Sequence, residues 1–160
     1  MSDASFHDAD TDGPLMLRAE GPEDVGVLSM LVQDAVLTGA DITFDRKRRQ
    51  LAMLINRFRW EDADAAQREG RPFERVRALL VVSDITGIRS DGIDRGDDEE
   101  ILSLLALQWQ SGVDGTGRLL LEFAGDGTIQ VDAECVSIDL RDVTQPYLAV
   151  SGHKPQHDDA

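Results

Sequence analysis

LLLEFAGDGTIQVDAECVSIDL, residues 119–140, decides the fold class. Leu119, Leu121 and Phe123 alternate with Leu120, Glu122 and Ala124, the period of two that sorts a strand's side chains onto opposite faces. Gly125-Asp126-Gly127 then supplies residues that tolerate positive φ, a hairpin signal. On the return strand Ile129, Val131 and Ala133 form the inward set. The inward phase then changes to Val136, Ile138 and Leu140. A one-residue slip in a period-two pattern marks a β-bulge, here near Glu134 and Cys135.

Upstream the pattern is similar. Ile101 to Trp109 and Val76 to Ile85 read as strands. So does Leu51 to Trp60, with Ala52, Leu54, Phe58 and Trp60 on one face. Ile42 and Phe44 alternate before a polar turn at Asp45-Arg46-Lys47-Arg48. Residues 89–98 read as a polar loop. Residues 61–72, with Gly70 and Pro72, read as another, with a short helical turn at Asp64–Arg68. One helix is expected near 22–37. Pro22 suits its first turn, Glu23 and Asp24 suit its dipole, and Val25, Leu28, Val32, Ala35 and Val36 recur at helical spacing. Gly39 is its expected stop.

Residues 76–88 match 131–143 without gaps. The shared positions include Val76/Val131, Ala78/Ala133, Asp84/Asp139 and Ile85/Leu140. Phe58-Arg59-Trp60 likewise resembles Leu107-Gln108-Trp109. A duplicated β unit with pseudo-two-fold symmetry and a bulge in each copy would explain both.

The 160 residues suit one domain, which buries roughly 70% of the surface its unfolded chain exposes. The expected folded part is 15–150, between disordered tails at 1–14 and 151–160. The start carries no secretory signal pattern, and no apolar run approaches the roughly 20 residues of a membrane span. The expected compartment is the cytoplasm. A net charge of −15 repels phosphate backbones and anionic lipid. The single cysteine, Cys135, excludes an internal disulfide and reads as a small buried hydrophobe.

Most candidate motifs lack part of their chemistry. Asp8 to Gly13 opens like a calcium loop, but its twelfth position is Ala19 and no entering helix precedes it. Asp91, Asp94, Asp97, Asp98, Glu99 and Glu100 read as a solvated acidic run. His153 and His157 flank Pro155, and His7 lies in the other tail, so no histidine falls in the expected core. Gly112 to Gly117 lacks phosphate-loop spacing and joins two strands. No cofactor and no metal site is expected. The one reversal of sign is Arg46, Lys47, Arg48 and Arg49, followed by Arg57 and Arg59. This basic hairpin is the candidate anion- or partner-binding surface, for a protein partner or a second copy of the chain. Nucleic acid and membrane are not expected partners.

PEDVGVLSMLVQDAV (22–36), DITFDRKRRQLAMLINRFRWE (41–61) and VDAECVSIDLRDV (131–143) together resemble an uncharacterised alphaproteobacterial domain-of-unknown-function family of small proteins. The resemblance covers most of 15–150. It implies a bacterial cytoplasmic setting and brings no catalytic residues.

The expected fold is α+β: an N-terminal amphipathic helix, then about six mainly antiparallel strands. The expected function is a non-enzymatic binding or assembly module. The alternatives are a small enzyme with Asp84 or Asp139 as acid or base and Arg57 or Arg59 as anion clamp, or a weak RNA or phospholigand binder at the basic hairpin.

Overall fold

The computed structural model describes residues 13–94, 97–149 and 155. Its core is one apolar cluster enclosed by a strongly bent antiparallel sheet and one helix. The elements in order are β1 (Met16–Ala19), α1 (Pro22–Val32), β2 (Ala35–Thr38), β3 (Ile42–Asp45), β4 (Gln50–Phe58) and α2 (Trp60–Glu69). Then follow β5 (Glu74–Val82), β6 (Ile85–Asp91), β7 (Ile101–Ser111), β8 (Gly117–Phe123), β9 (Thr128–Ala133), β10 (Ile138–Asp142) and β11 (Tyr147–Leu148).

The fold is α+β and mainly antiparallel, as expected, but eleven strands replace six among the described residues. The additions are mostly short. β1 and β2 have four residues each and β11 has two, too few to display a period. The strand order is β1-β10-β5-β4-β2-β7-β8-β9-β6, with β3 also on β4 and β11 also on β5. The hairpin read at Gly125-Asp126 joins β8 to β9, and both residues adopt positive φ, 81° and 68°.

Two strands turn a corner together. β5 runs into β6 across Ser83 and Asp84, and β9 runs into β10 across residues 134–137. On one side of the corner β5 pairs with β10, Leu80 opposite Leu140. On the other β6 pairs with β9, Ile88 opposite Val131. Ser83 N–H to Ser137 O (2.9 Å) and Glu134 N–H to Asp84 O (3.0 Å) hold the corner itself. The chain thereby closes the ring β2-β4-β5/β6-β9-β8-β7-β2, a barrel-like enclosure. The phase change from Ala133 to Val136 is this corner in sequence form: Ile129, Val131 and Ala133 are buried before it, and Val136, Ile138 and Leu140 after it.

The pairings survive an exchange of halves. Swapping β2 with β7, β4 with β8, β5 with β9 and β6 with β10 reproduces the same set of ring pairs. The gap-free alignment of 76–88 with 131–143 spans the strands this exchange relates, β5 with β9 and β6 with β10, but not in register: β5 ends at Val82, aligned with Ser137, whereas β9 ends at Ala133. Asp84 sits in the corner at φ 58°, whereas Asp139 lies within β10. Nor does Phe58–Trp60 correspond to Leu107–Trp109. The first leads into α2, and the second lies in β7, which the exchange relates to β2.

Three local readings are corrected. The helix stops at Val32, because Asp34 takes a left-handed φ of 65° and its N–H bonds Leu104 O (2.8 Å). Ala35 and Val36 therefore start β2, and Gly39 belongs to a later turn. Residues 60–69 form α2, a whole helix whose polar composition resembles a loop. The inward face of β4 is Leu51, Met53, Ile55 and Arg57, not Ala52 and Leu54. The charge at Arg57 disguised the inward series as the solvent series.

Met53 is fully buried and Ala52 is half-buried. Met53→Ala should cost about 3 kcal/mol of stability in urea unfolding. Ala52→Ser should cost less than about 0.5 kcal/mol. Equal costs would contradict the assigned face.

Candidate functional site

The sequence groups six basic residues, and the structure separates them. Arg57 and Arg59 are inside the protein, 0% and 5% exposed. Arg57 projects inward from β4, and all five of its N–H groups find acceptors. Nη1 and Nη2 form a fork onto Glu61 of α2 at 2.9 and 2.7 Å. Nε and Nη2 reach Asp142 of β10, each at 3.1 Å, and Nη1 also reaches Phe58 O at 3.3 Å. Burial by itself lowers the guanidinium pKa. The hydrogen bonds and charges of Glu61 and Asp142 outweigh it, so the net shift is upward and Arg57 stays charged.

Asp142 also ties the chain's beginning to this cluster. Its Oδ2 accepts from Leu15 N–H at 2.9 Å, and its own N–H donates to Leu15 O at 2.9 Å. Arg59 bonds Glu74 at 2.5 Å and lies 3.6 Å from Asp62, which in turn takes Arg71 at 3.2 Å. Trp60 Nε1 donates to Gln33 O at 2.9 Å, fixing the start of α2 to the end of α1. These groups hold α2, β4, β5, β10 and the entry to β1 together. They satisfy one another and leave neither Arg57 nor Arg59 on an external anion surface.

Arg46 to Arg49 do form the β3–β4 turn. Arg49 leaves it for the corner, where it meets Glu134 at 2.9 Å and Asp84 at 4.0 Å. Arg48 stands 3.8 Å from Asp45. Cys135 is exposed at the same corner, not buried, and its Sγ–H donates to Asp84 Oδ2 at 3.4 Å. Partial desolvation, then the Asp84 hydrogen bond and the Asp84 and Glu134 charges, push the thiol pKa up. Asp139, the other carboxylate of the enzyme alternative, is held by Arg18 at 2.7 Å on the outer face.

Arg46 turns to a different feature. Beside it lies a mouth of about 310 Å³ between β3 and β6. Its walls are Ile42 and Phe44 from β3, Leu51 from β4, Ile88 from β6, Ile93, and Ile129 from β9. Arg46 stands on the rim at one end. Asp94 and Asp98 stand at the other, where Ala40 N–H bonds Asp98 O at 3.1 Å. None of the lining comes from α1. The acidic loop beside it is partly self-bonded: Asp94 N–H donates to Glu100 and Glu99 N–H to Asp97, each at 3.0 Å. A larger depression of about 560 Å³ lies along β1, β10 and β5, and the paired Arg18 and Asp139 are among its lining residues.

Sequence reasoning reached Arg46 but not the mouth. Residues 89–98 read as loop, which hid the end of β6, and Ile88 and Ile93 stood as isolated apolar residues in polar surroundings. Those two isoleucines were the available signal. The motif at Asp8–Gly13, His7, His153, His157 and the two tails lies largely or wholly outside the described residues.

The geometry defines an antiparallel, barrel-like domain with an apolar mouth and a charged rim. The chain matches the family model described as "Protein of unknown function (DUF2948)" over residues 15–157 and belongs to that family. No curated protein and no solved structure matches it. No helix among the described residues is long and apolar enough to cross a membrane.

Two measurements check this electrostatic arrangement. Arg57→Met leaves Glu61 and Asp142 buried and uncompensated, and should destabilise by about 3–5 kcal/mol in urea unfolding. Arg48→Met, on the exposed turn, should stay within about 0.5 kcal/mol. Asp84→Asn removes the charge that helps raise the Cys135 pKa and leaves only a neutral acceptor. It should speed iodoacetamide alkylation at pH 7.5 by about two- to fivefold.

Proposed function

We propose that this protein is a non-enzymatic binding or assembly module of a bacterial cytoplasm, and that the mouth between β3 and β6 is its binding surface. The observation that carries this reading is the mouth itself: apolar walls open to solvent, with Arg46 at one end and acids at the other. Ile42, Phe44, Ile88 and Ile93 are only partly buried. Covering apolar surface gains about 25 cal/mol per Å², so an occupant is favoured. A cavity of this size falls at the lower end of the usual range of ligand sites, about 300–1,000 Å³.

Arg46, Lys47 and Arg48 remain the basic element of this surface and select for a carboxylate on the occupant. The net charge of −15 works against a nucleic-acid backbone, so the favoured occupant is a protein segment.

Anilinonaphthalene sulfonate, an apolar anion, tests the site on the native chain. It should bind with a fluorescence rise. Ile88→Trp should fill the mouth and weaken binding at least about tenfold, and Arg46→Glu about fivefold. Unchanged binding in both variants would remove the mouth as the site. Single-stranded RNA binding that fell steeply with salt and vanished on charge reversal at Arg46, Lys47 and Arg48 would replace this reading.

A further inference from the structure

The ring has an internal exchange of halves, and one element breaks it in an instructive place. β10 pairs with β5 on one side and takes β1 on its other side, with Leu17 opposite Leu140. β1 is antiparallel to β10 and hands the chain to α1, which packs on β7 and β1. The exchange carries β10 to β6. β6 ends the strand order, with β9 as its strand partner. The counterpart of β1 would therefore lie on the outer edge of β6, along the mouth.

The mouth is shaped for such a strand. Ile88 and Ser90 of β6 line one side, and Ile42 and Phe44 of β3 the other. Side chains at alternate positions of an added strand would enter between them. Charge also sets a direction. Ile85 N–H bonds Arg49 O at 3.2 Å, so β6 begins at the Arg46 end and runs toward Asp94 and Asp98. A strand antiparallel to β6, as β1 is to β10, runs the opposite way. Its N-terminal end meets the two aspartates and its C-terminal end meets Arg46.

We infer that the outer edge of β6 receives an extended strand from a partner protein, antiparallel to β6. Its alternate side chains are apolar, its N-terminal end basic and its C-terminal end acidic. Main-chain hydrogen bonds to the edge supply affinity, and the mouth and its two charged ends supply selectivity. This inference rests on the mouth being the binding surface and specifies what fills it.

The test is a random dodecapeptide display library selected on the full chain and, in parallel, on the rim-swapped variant Arg46→Glu/Asp98→Lys. Both positions are exposed, so the variant should fold. The expected outcome is peptides with alternating apolar residues and basic-to-acidic polarity on the native chain, and reversed polarity on the variant. Synthetic copies should slow exchange at the β6 amides after Ile85 that point away from β9, at least about tenfold. Peptides that shift Phe44 and Ile88 resonances without slowing that exchange would overturn strand addition and leave the mouth as a binding surface. Enriched peptides indifferent to both the rim swap and Ile88→Trp, or no enrichment, would overturn both readings. Exchange at β6 that slows with protein concentration alone would assign the edge to a second copy and overturn the partner strand.

Discussion

Everything in this fold depends on two strands bending at one corner. β5 and β9 must each leave one partner and find another within a few residues, and they do so opposite each other. Asp84 makes this possible with a left-handed φ of 58°, a conformation Asp tolerates better than most residues. Two inter-strand hydrogen bonds at the corner keep the backbone paired through the turn. Had the strands run straight, they would form one long ribbon whose inner face could not wrap around a core. The bend turns the ribbon into two walls, and the remaining strands close the ring.

Arg57 sets the second constraint. A guanidinium in a protein interior is tolerated only when its hydrogen-bonding capacity is used, and here the acceptors come from three directions. Glu61 is supplied by α2, Asp142 by β10 and a carbonyl by Phe58. The requirement works in reverse as well. α2 is weakly apolar, burying only Ala63 and Ala66 among its nonpolar side chains, so its charge pairs fix where it docks. Asp142 adds the backbone of Leu15 to the same cluster, which places β1.

The N-terminal segment makes the two related halves unequal. β1 and α1 close one side of the ring with Leu15, Ala19, Val25, Leu28 and Leu31. On the related side β6 ends the sheet beside partly exposed isoleucines and Phe44. This inequality separates a sealed core from an open apolar mouth. It also leaves Arg46 of the β3–β4 turn at the rim of that mouth, a place the charge pattern alone did not indicate.

The sequence by itself determined the local grammar: alternation, the Gly125-Asp126 hairpin, the phase slip after Ala133, the start of α1, and membership of a family without an assigned function. These depend on a few neighbouring residues, so they can be read along the chain. The tertiary structure decided how many strands there are, because two- and four-residue strands exist only through their partners. It decided the inward face of β4, since a buried charge looks like a surface charge until its distant acceptors are known. It also redistributed the basic cluster. Arg57 and Arg59 turned inward to acids far along the chain, Arg49 went to the corner, and Arg46 went to the mouth. Position along one strand records the charge, but its exposure depends on elements up to 85 residues away.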